Sequence, residues 1–356
     1  MYCFIVLSGE HDTLPYAEVI SLLQDNLMLK DVAGKKNVFF YDQVIRANIT
    51  PQECKEVVEK CAFAHYGCLE IISSSQNLRE IVEKLSEVSW KEFINKKVIS
   101  VRVIRMKEYG LHIQVPVLEK HIVSSIKESI GDLRIDYKKP SIKLVGILTE
   151  DRFLLGKLIA QSSRKALERR RPGQRPFFHP SALDSKLARF MLNACKVKEG
   201  DVILDPFCGT GTIPLEAEHL GARALGVDVN LELIKGALIN IQYLSKEKGA
   251  IIDLLCSDIF LLPLRKIKGV KVVTDPPYGR VASTHGRNVN EIYAVFFKLL
   301  VNNIRAQRVV MLSPHWIPLK DFIYKCNLRI VEQHALRVHG GLTRKVTVIE
   351  NPDIPR

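Results

Sequence analysis

The sequence lacks Cys-x-x-Cys pairs, long apolar runs and a secretory signal at its N-terminus. No two of the eight cysteines form a Cys-x-x-Cys pair, so their spacing does not support a zinc site and we expect no bound metal. No stretch approaches the roughly 18 uninterrupted apolar residues of a membrane-spanning helix. The segment MYCFIVLSGE has no basic region and soon becomes polar, unlike a secretory signal. These absences favour a cytoplasmic protein without a membrane segment.

Three of the cysteines are spaced seven residues apart. Cys54, Cys61 and Cys68 recur at this interval, and the pattern predicts a helix from Pro51 to His65. Small, weakly polar thiols at such spacing are typical of buried core positions. We therefore interpret these cysteines as packing residues and not as metal ligands.

The composition is that of a globular protein with an excess of positive charge. The 356 residues are 47% hydrophobic and 26% charged, which excludes a disordered or collagen-like chain and suggests two or three domains. There are 52 basic and 39 acidic residues, a formal charge of +13. Such an excess favours a polyanionic partner, either nucleic acid or an acidic membrane surface, although it is also compatible with charge that only maintains solubility.

Much of this charge lies in one short segment. Between Arg152 and Arg175 there are eight basic residues and a single acidic one, Glu168. This density is typical of a phosphate-binding strip, and a solvated linker is the alternative. The candidate RNA-binding residues of the segment are Arg164, Lys165, Arg169, Arg170, Arg171 and Arg175.

The pattern of apolar runs divides the chain into four parts. Residues 1–60 and 61–150 each predict a small α+β unit, and residues 151–178 form the basic linker. From residue 179 to 356, strands alternate regularly with helices, which predicts an α/β domain with a mostly parallel sheet. Its predicted strands are Val202–Leu204, Ala224–Val227, Ile251–Leu255, Val270–Val273 and Arg308–Leu312, followed by a terminal hairpin of Leu328–Arg337 and Lys345–Glu350.

A glycine-rich turn follows the first strand of this domain. The segment Asp205-Pro-Phe-Cys-Gly-Thr-Gly-Thr212 differs from G-x-G-x-x-G and has no Walker lysine, so a pyrophosphate is not the expected ligand. Backbone amides of such a turn suit a carboxylate, and Asp205 suits an ammonium group. The candidate binding residues of the turn are Asp205, Phe207, Cys208, Gly209 and Gly211.

Two further aspartates follow the next two strands. Asp228 lies 23 residues after Asp205, which is close to the spacing of the ribose-binding carboxylate in dinucleotide folds. Asp258 ends the following strand and could accept a hydrogen bond from an adenine amino group. For either aspartate alone, a helix cap is the better explanation. Because they recur at successive strand ends, they predict a nucleoside site.

The segment Asp275-Pro276-Pro277-Tyr278-Gly279 follows the fourth strand and indicates the chemistry. Two prolines exclude a helix and predict a rigid loop. A carboxylate beside a backbone carbonyl can accept both hydrogens of an exocyclic base amine, which stabilises the positive charge that develops as the amine is methylated. Tyr278 provides a surface for base stacking. A proline-rich surface turn is the alternative interpretation of this segment.

Together these segments resemble class I S-adenosylmethionine-dependent methyltransferases that act on base amines. The stretch Arg171-Pro-Gly-Gln-Arg-Pro-Phe-Phe-His-Pro180, followed by Leu187-Ala-Arg189, resembles the archaeal and eukaryotic tRNA (guanine(10)-N2)-methyltransferases. The resemblance implies a ferredoxin-like domain over 1–60, a THUMP domain over 61–150 and a Rossmann-fold methyltransferase domain with a seven-stranded sheet over 179–356. It also implies S-adenosylmethionine as cofactor and tRNA as substrate. Eukaryotic relatives work with a small zinc-binding activator subunit, and the need for such a subunit here stays open; otherwise we expect a monomer.

The resemblance assigns roles to the matching residues. Asp275, Pro276, Pro277 and Tyr278 correspond to the catalytic motif, and the glycine turn, Asp228 and Asp258 to the cofactor site. Mono- or dimethylation stays open. Two other functions remain: adenine-N6 or cytosine-N4 methylation of nucleic acid, and RNA binding without catalysis.

Overall fold

The computed structural model describes residues 1–25, 38–95, 98–162, 164–245, 251–262, 269–279 and 286–354. These residues form two compact units, Met1–Ser162 and Ser163–Arg356. No helix in the described ranges has both the length and the apolar character that a membrane span requires.

The N-terminal unit is built on one mixed sheet of eight strands in the order β2-β3-β1-β4-β8-β7-β5-β6. Strand β5 pairs in parallel with β6 and β7, and the other neighbouring strands are antiparallel. The strands are β1 (Cys3–Leu7), β2 (Val38–Tyr41), β3 (Val44–Ala47), β4 (Ala64–Ser75), β5 (Val98–Arg105), β6 (Arg134–Ile135), β7 (Ile142–Thr149) and β8 (Arg152–Gln161). The helices are α1 (Leu14–Asp25), α2 (Pro51–Lys60), α3 (Leu78–Ser86), α4 (Trp90–Phe93) and α5 (Val115–Ile130).

This sheet changes two of the predicted boundaries. Strand β4 pairs with β1 on one side and with β8 on the other, so a single sheet continues across the predicted division after residue 60. Strand β8 covers residues 152–161, and the basic segment therefore begins as part of the sheet and not as a linker. Pairing between strands far apart in sequence is set by tertiary packing, which local patterns do not reveal.

Helix α2 is shorter than predicted. It begins with a capping box between Thr50 and Glu53 and ends at Lys60, after which Cys61 is extended and β4 begins at Ala64. The prediction of helix through His65 was wrong, because the apolar residues beyond Lys60 belong to a strand. The three evenly spaced cysteines are nevertheless all fully buried, as expected of packing residues.

The C-terminal unit confirms the predicted α/β fold with a terminal hairpin. Its seven strands have the order β11-β10-β9-β12-β13-β15-β14; the first five are parallel, and β15 is antiparallel to both of its neighbours. The strands are β9 (Val202–Asp205), β10 (Arg223–Asp228), β11 (Ile252–Cys256), β12 (Val270–Thr274), β13 (Arg308–Pro314), β14 (Arg329–His339) and β15 (Leu342–Glu350). The helices are α6 (Arg164–Arg169), α7 (Ser185–Ala194), α8 (Thr212–Glu218), α9 (Leu231–Leu244), α10 (Val289–Leu299) and α11 (Leu319–Lys325).

The core of this unit fixes the strand ends that matter for function. Val272 of β12 and Met311 of β13 are fully buried against the aromatic side chains of α10, among them Tyr293 and Phe296. Parallel strands anchored in this core place the residues that follow them at one edge of the sheet. In open α/β sheets, the carboxyl ends of the parallel strands form the ligand crevice.

Candidate functional site

A cavity of about 410 Å³ lies at the carboxyl ends of β9, β10, β11 and β12. All four predicted segments line it, although they are distributed over more than 70 residues of sequence. Ten of the eleven residues predicted for catalysis or cofactor binding belong to its wall: Asp205, Phe207, Cys208, Gly209, Asp228, Asp258, Asp275, Pro276, Pro277 and Tyr278. The eleventh, Gly211, is not part of this wall.

The glycine turn is held by Asp228. The Gly209 N–H donates to Oδ2 of Asp228 at 2.9 Å, and the Asn230 N–H donates to Oδ1 at 2.9 Å. The backbone amides of this turn were expected to suit a ligand carboxylate, and the structure engages the amide of Gly209 within the protein. Asp228 therefore fixes the backbone of the glycine turn at the wall of the cavity.

The two glycines of the turn have different structural roles. Gly209 has φ +52°, and a β-carbon built there would meet no atom within 4 Å, so its side faces open space. Gly211 has φ +81° as the N-cap of α8, and a β-carbon there would come within 3.1 Å of Ala237 on α9. Gly211 therefore permits close helix packing and a left-handed backbone, and its predicted part in cofactor binding stays a prediction.

Asp205 is a buried carboxyl with an unusual pKa. It accepts hydrogen bonds from the Thr274 hydroxyl at 2.7 Å and from the Phe207 N–H at 3.2 Å. Burial raises the pKa of Asp205 to about 8, and the nearby charges of Asp275 and Asp228 add to this effect while the two hydrogen bonds oppose it. Without a cation beside it, Asp205 is largely neutral at pH 7, and a cationic group in the cavity would ionise it.

Asp258 has a partner that the sequence did not suggest. Its Oδ1 caps the following turn by accepting from the Phe260 N–H at 3.0 Å, and its Oδ2 pairs with Nη2 of Arg287 at 2.8 Å. The Arg287 guanidinium also lies 4.1 Å from the centre of the Phe260 ring. Because Arg287 is 29 residues away in sequence, only the fold reveals it as part of this wall.

The Asp-Pro-Pro-Tyr segment forms an acidic turn that begins directly after β12. The Tyr278 hydroxyl donates to Oδ1 of Asp275, so Tyr278 orients the carboxylate in addition to offering its ring. Burial raises the pKa of Asp275, and the positive charge of Arg344 partly lowers it again. A carboxyl with a raised pKa accepts protons more readily than one in water. Gly279 has φ +77°, and a β-carbon there would collide with Val289, so the turn requires glycine.

The cavity wall also contains residues that sequence reasoning missed or left open. The Thr210 hydroxyl is buried and has no hydrogen-bond partner within the part of the chain that the structure describes. An unpaired buried hydroxyl is costly, so a polar ligand group at this point would be favoured. His179 belongs to the wall as well, and its Nδ1 lies 2.7 Å from the Ser181 hydroxyl.

Comparison of the whole sequence with curated proteins identifies its relatives. The tRNA (guanine(10)-N2)-dimethyltransferase of Methanothermobacter thermautotrophicus is 32% identical over 354 residues, covering 98% of this chain and 99% of the relative. The protein of the same name from Methanocaldococcus jannaschii is 31% identical, with 96% and 98% coverage. The chain belongs to the tRNA (guanine(10)-N2)-dimethyltransferase family.

Two family models match parts of this family member. A model described as an RMKL-like methyltransferase domain matches residues 172–346, which contain every wall residue of the cavity. A model described as a DNA methylase matches residues 74–239. The second match begins in the N-terminal unit and ends before Asp275, so it does not include the acidic turn.

Solved structures share the fold at low identity. TrmN from Thermus thermophilus has a TM-score of 0.54 at 17% identity, covering 98% of this chain and 99% of that one. A putative methyltransferase, SMU.472, whose structure contains SAH, has a TM-score of 0.51 at 13% identity and 97% coverage of both chains. These similarities support a methyltransferase-like α/β fold.

Within the family member, two of the predicted RNA-binding arginines are buried structural residues. Arg170 donates two hydrogen bonds to Glu216, at 2.6 and 2.9 Å, and Arg189 pairs with the same carboxylate at 2.7 Å. Arg175 donates to the Thr212 hydroxyl at 2.6 Å. Arg170 is 7% exposed and Arg175 is 6% exposed, so we assign both a structural role in place of the predicted phosphate binding.

The rest of the basic segment keeps its charge at the surface. Lys165 and Arg169 are exposed on α6, and Arg164 is partly exposed on the same helix. Arg171 is exposed and pairs with Glu168 at 2.8 Å. These four residues remain candidates for contact with a polyanion.

Proposed function

We propose that this protein transfers methyl groups from S-adenosylmethionine to the exocyclic N2 of guanosine 10 in tRNA. The observation that carries this proposal is the position of the acidic turn, which shares one cavity wall with the glycine turn and with Asp228. The relatives that match the whole chain have this activity in their names. A base amine and a methyl donor could therefore meet within a single cavity.

The cavity residues fit S-adenosylmethionine, which supplies a methyl group on a positively charged sulfur. We assign Asp228 to the ribose hydroxyls and Asp258 to the adenine amino group, since both carboxylates belong to the cavity wall. Asp205 fits the ammonium group because its carboxyl becomes ionised beside a cation. The unpartnered Thr210 hydroxyl supplies a further polar contact in the same turn.

The acidic turn activates the amine. The Asp275 carboxylate and the Pro276 carbonyl accept the two N–H groups of the target, which makes its lone pair available for attack. The new bond joins nitrogen to the methyl carbon as the carbon–sulfur bond breaks. The surplus proton of the nitrogen passes to Asp275 and then to solvent. Tyr278 stacks on the base, which must be flipped out of its helix to reach this turn.

A covalent enzyme intermediate has no place in this reaction. The cysteine in the wall, Cys208, lies in the glycine turn and not opposite the acidic turn. Burial and the charges of Asp205 and Asp228 raise the pKa of Cys208 well above its usual range, so it stays a neutral thiol. A neutral thiol is a weak nucleophile. Direct transfer from sulfur to nitrogen is the mechanism that these residues support.

Dimethylation is the proposed outcome. The archaeal relatives that match the whole chain are named dimethyltransferases. After one transfer, the guanine amine still has one N–H, which Asp275 can accept in a second cycle. The same carboxylate therefore serves both transfers.

Binding of the tRNA body is assigned to the N-terminal unit and the exposed cations of α6. We propose that residues 1–60 and 61–150 correspond to ferredoxin-like and THUMP parts of the single eight-stranded sheet. Lys165, Arg169 and Arg171 are exposed and suit contacts with phosphates. The proposed tRNA substrate also supports the expected cytoplasmic location.

The small zinc-binding activator subunit implied by the family resemblance is assigned to the outer edge of the methyltransferase sheet. Strand β11 is an edge strand, and an unpaired edge invites strand addition. Large apolar side chains are exposed on β11, on α9 and beside them: Leu231, Leu238, Ile239, Tyr243, Ile251 and Leu255. Without this subunit, we propose a monomer.

Nucleoside analysis of methylated RNA tests the proposed function. The protein is incubated with S-adenosylmethionine and either a tRNA transcript or a DNA duplex, and the digested product is examined by mass spectrometry. We expect N2-methylguanosine and N2,N2-dimethylguanosine from tRNA only, and none from a transcript with adenosine at position 10. Methyladenine or methylcytosine would contradict the proposal in favour of another amino-methyltransferase. Lack of any product would favour RNA binding without catalysis.

Cofactor binding is expected to release a proton from Asp205. A carboxyl with a pKa of about 8 is mostly protonated at pH 7, and the ligand ammonium favours the ionised form. Titration calorimetry with S-adenosylhomocysteine in buffers of different ionisation enthalpy should show nearly one proton released per ligand. The Asp205→Asn variant should bind more weakly and release none. Heat that is independent of the buffer in the unsubstituted protein would contradict this role of Asp205.

A further inference from the structure

The terminal hairpin brings a cation to the catalytic side of the cavity. Because β15 runs antiparallel to β13, its first residues lie at the same sheet edge as the carboxyl end of β13, with Arg344 opposite Pro314. Alternate residues of a strand face the same side. In agreement, Leu342 and Arg344 both line the cavity, whereas Thr343 and Lys345 do not.

Arg344 has a buried N–H donor for which the described residues provide no acceptor. Its Nε is fully enclosed and has no hydrogen-bond partner among the described residues. The guanidinium carbon lies 5.4 Å from the centre of the Tyr278 ring, so the group is held beside the acidic turn. A guanidinium carries five N–H donors in a fixed plane and no acceptor. An enclosed donor at a cavity wall indicates that the group is completed by a ligand acceptor.

We propose that Arg344 binds the O6 carbonyl of the target guanine and thereby selects guanine over adenine. This inference rests on the proposed function, in which Asp275 and Pro276 hold the N2 amine. On the same edge of guanine, the O6 carbonyl is separated from the amine-bearing carbon by N1. Adenine placed with its amine at the acidic turn presents only a C–H at that position, so an arginine aimed there would lose its acceptor.

A contact between Arg344 and O6 does not distinguish guanine from cytosine. Cytosine placed by its amine presents a carbonyl, O2, at the equivalent position. Selection against cytosine therefore falls to Asp275, because guanine offers an N1–H to a carboxylate and cytosine offers a bare N3. Arginine pairing with guanine O6 is a common specific contact in nucleic-acid recognition. The two residues together recognise a donor–donor–acceptor edge that is unique to guanine.

The test combines a substitution in the protein with one in the RNA. Single-turnover kcat/KM is measured for the unsubstituted protein and for Arg344→Gln, on tRNA containing guanosine or 6-thioguanosine at the target position. Sulfur is a weak acceptor, and 6-thioguanosine keeps N1–H and the amine. We expect each change alone to lower kcat/KM by about 10- to 100-fold, and both together to lower it no further than either one.

Control variants distinguish a loss of guanine recognition from a loss of folding or of positive charge. Arg337→Gln removes an exposed cation from the same hairpin and should leave kcat/KM within about twofold. Arg344→Lys retains the charge beside Asp275 but not the planar fork, so it should recover only part of the activity. Affinity for S-adenosylhomocysteine and the melting temperature should stay unchanged in each variant.

Two results would overturn the inference. If the effects of Arg344→Gln and of 6-thioguanosine multiply, Arg344 does not contact O6. If Arg344→Lys restores full activity on guanosine, the charge alone matters. The proposed function is judged separately, by whether the unsubstituted protein forms N2-methylguanosine on ordinary tRNA.

Discussion

Replacing Asp275 with alanine is expected to lower the single-turnover rate of methyl transfer by about 10²- to 10⁴-fold, the usual range for loss of a positioned proton acceptor. The affinity for S-adenosylhomocysteine should change little, because Asp275 faces the base and not the cofactor. Asp275→Asn keeps an acceptor oxygen but cannot take a proton, so its rate should lie between those of Asp275→Ala and the unsubstituted protein.

A matched variant and a pH profile complete this test. Asp321 is an exposed carboxylate on α11 outside the cavity wall, and Asp321→Ala should retain full activity. Since burial raises the pKa of Asp275, the rate should fall on acidification at a pH above the usual range of an aspartate. Full activity of Asp275→Ala with normal cofactor binding would exclude the carboxylate from the reaction.

Replacing Glu216 with glutamine is expected to give the largest loss of stability in the methyltransferase domain. Glu216 is fully buried between Arg170 and Arg189, and its removal would leave two buried cations without a partner. Breaking such a pair costs about 3–5 kcal/mol. For a domain of this size, that corresponds to a fall in melting temperature of roughly 6–20 °C in calorimetry. The exposed Glu199→Gln variant should melt like the unsubstituted protein.

The same carboxylate makes stability depend on acid pH. Burial alone would raise the pKa of Glu216, but the charges of Arg189 and Arg170 lower it to about 2. A lowered pKa means that this stabilisation is complete above the ordinary value of 4.5 and is lost as the pH falls toward 2. Denaturant titrations should show this loss in the unsubstituted protein and a weaker pH dependence in Glu216→Gln. Equal pH dependence of the two proteins would contradict the role of the cluster.

The fold of the C-terminal unit could be predicted from the sequence because its strands and helices each have a local pattern of apolar residues. Each parallel strand is a short, mostly apolar run of four to seven residues, and a carboxylate at or just after the ends of β9, β10, β11 and β12 marks their carboxyl ends. The sheet of the N-terminal unit was harder to predict. This sheet depends on pairing β1 with β4 and β4 with β8. Strand β8 begins almost 80 residues after the end of β4, so no local signal predicts that pairing. The end of α2 at Lys60 was missed for the same reason.

The sequence predicted the carboxylates of the candidate site but not its cationic residues. Asp205, Asp228, Asp258 and Asp275 follow strands, so topology alone brings them together. Arg287 and Arg344 reach the wall from later elements that have no motif of their own.

For the basic segment, the sequence predicted an exposed charged surface that is only partly present. A run of charges does not reveal which side chains are buried, and Arg170 and Arg175 are held inside by Glu216 and Thr212. The prediction of a basic surface is therefore correct only for the exposed residues of this segment.

A crystal structure with S-adenosylhomocysteine and an RNA carrying the target guanosine tests the central claim most directly. We predict that the N2 amine lies within hydrogen-bond distance of Asp275 and of the Pro276 carbonyl. The line from the cofactor sulfur to N2 should leave room for a methyl group between them, as in-line transfer requires. A guanine amine that faces away from the acidic turn, or a cofactor sulfur on the far side of the glycine turn, would contradict the account.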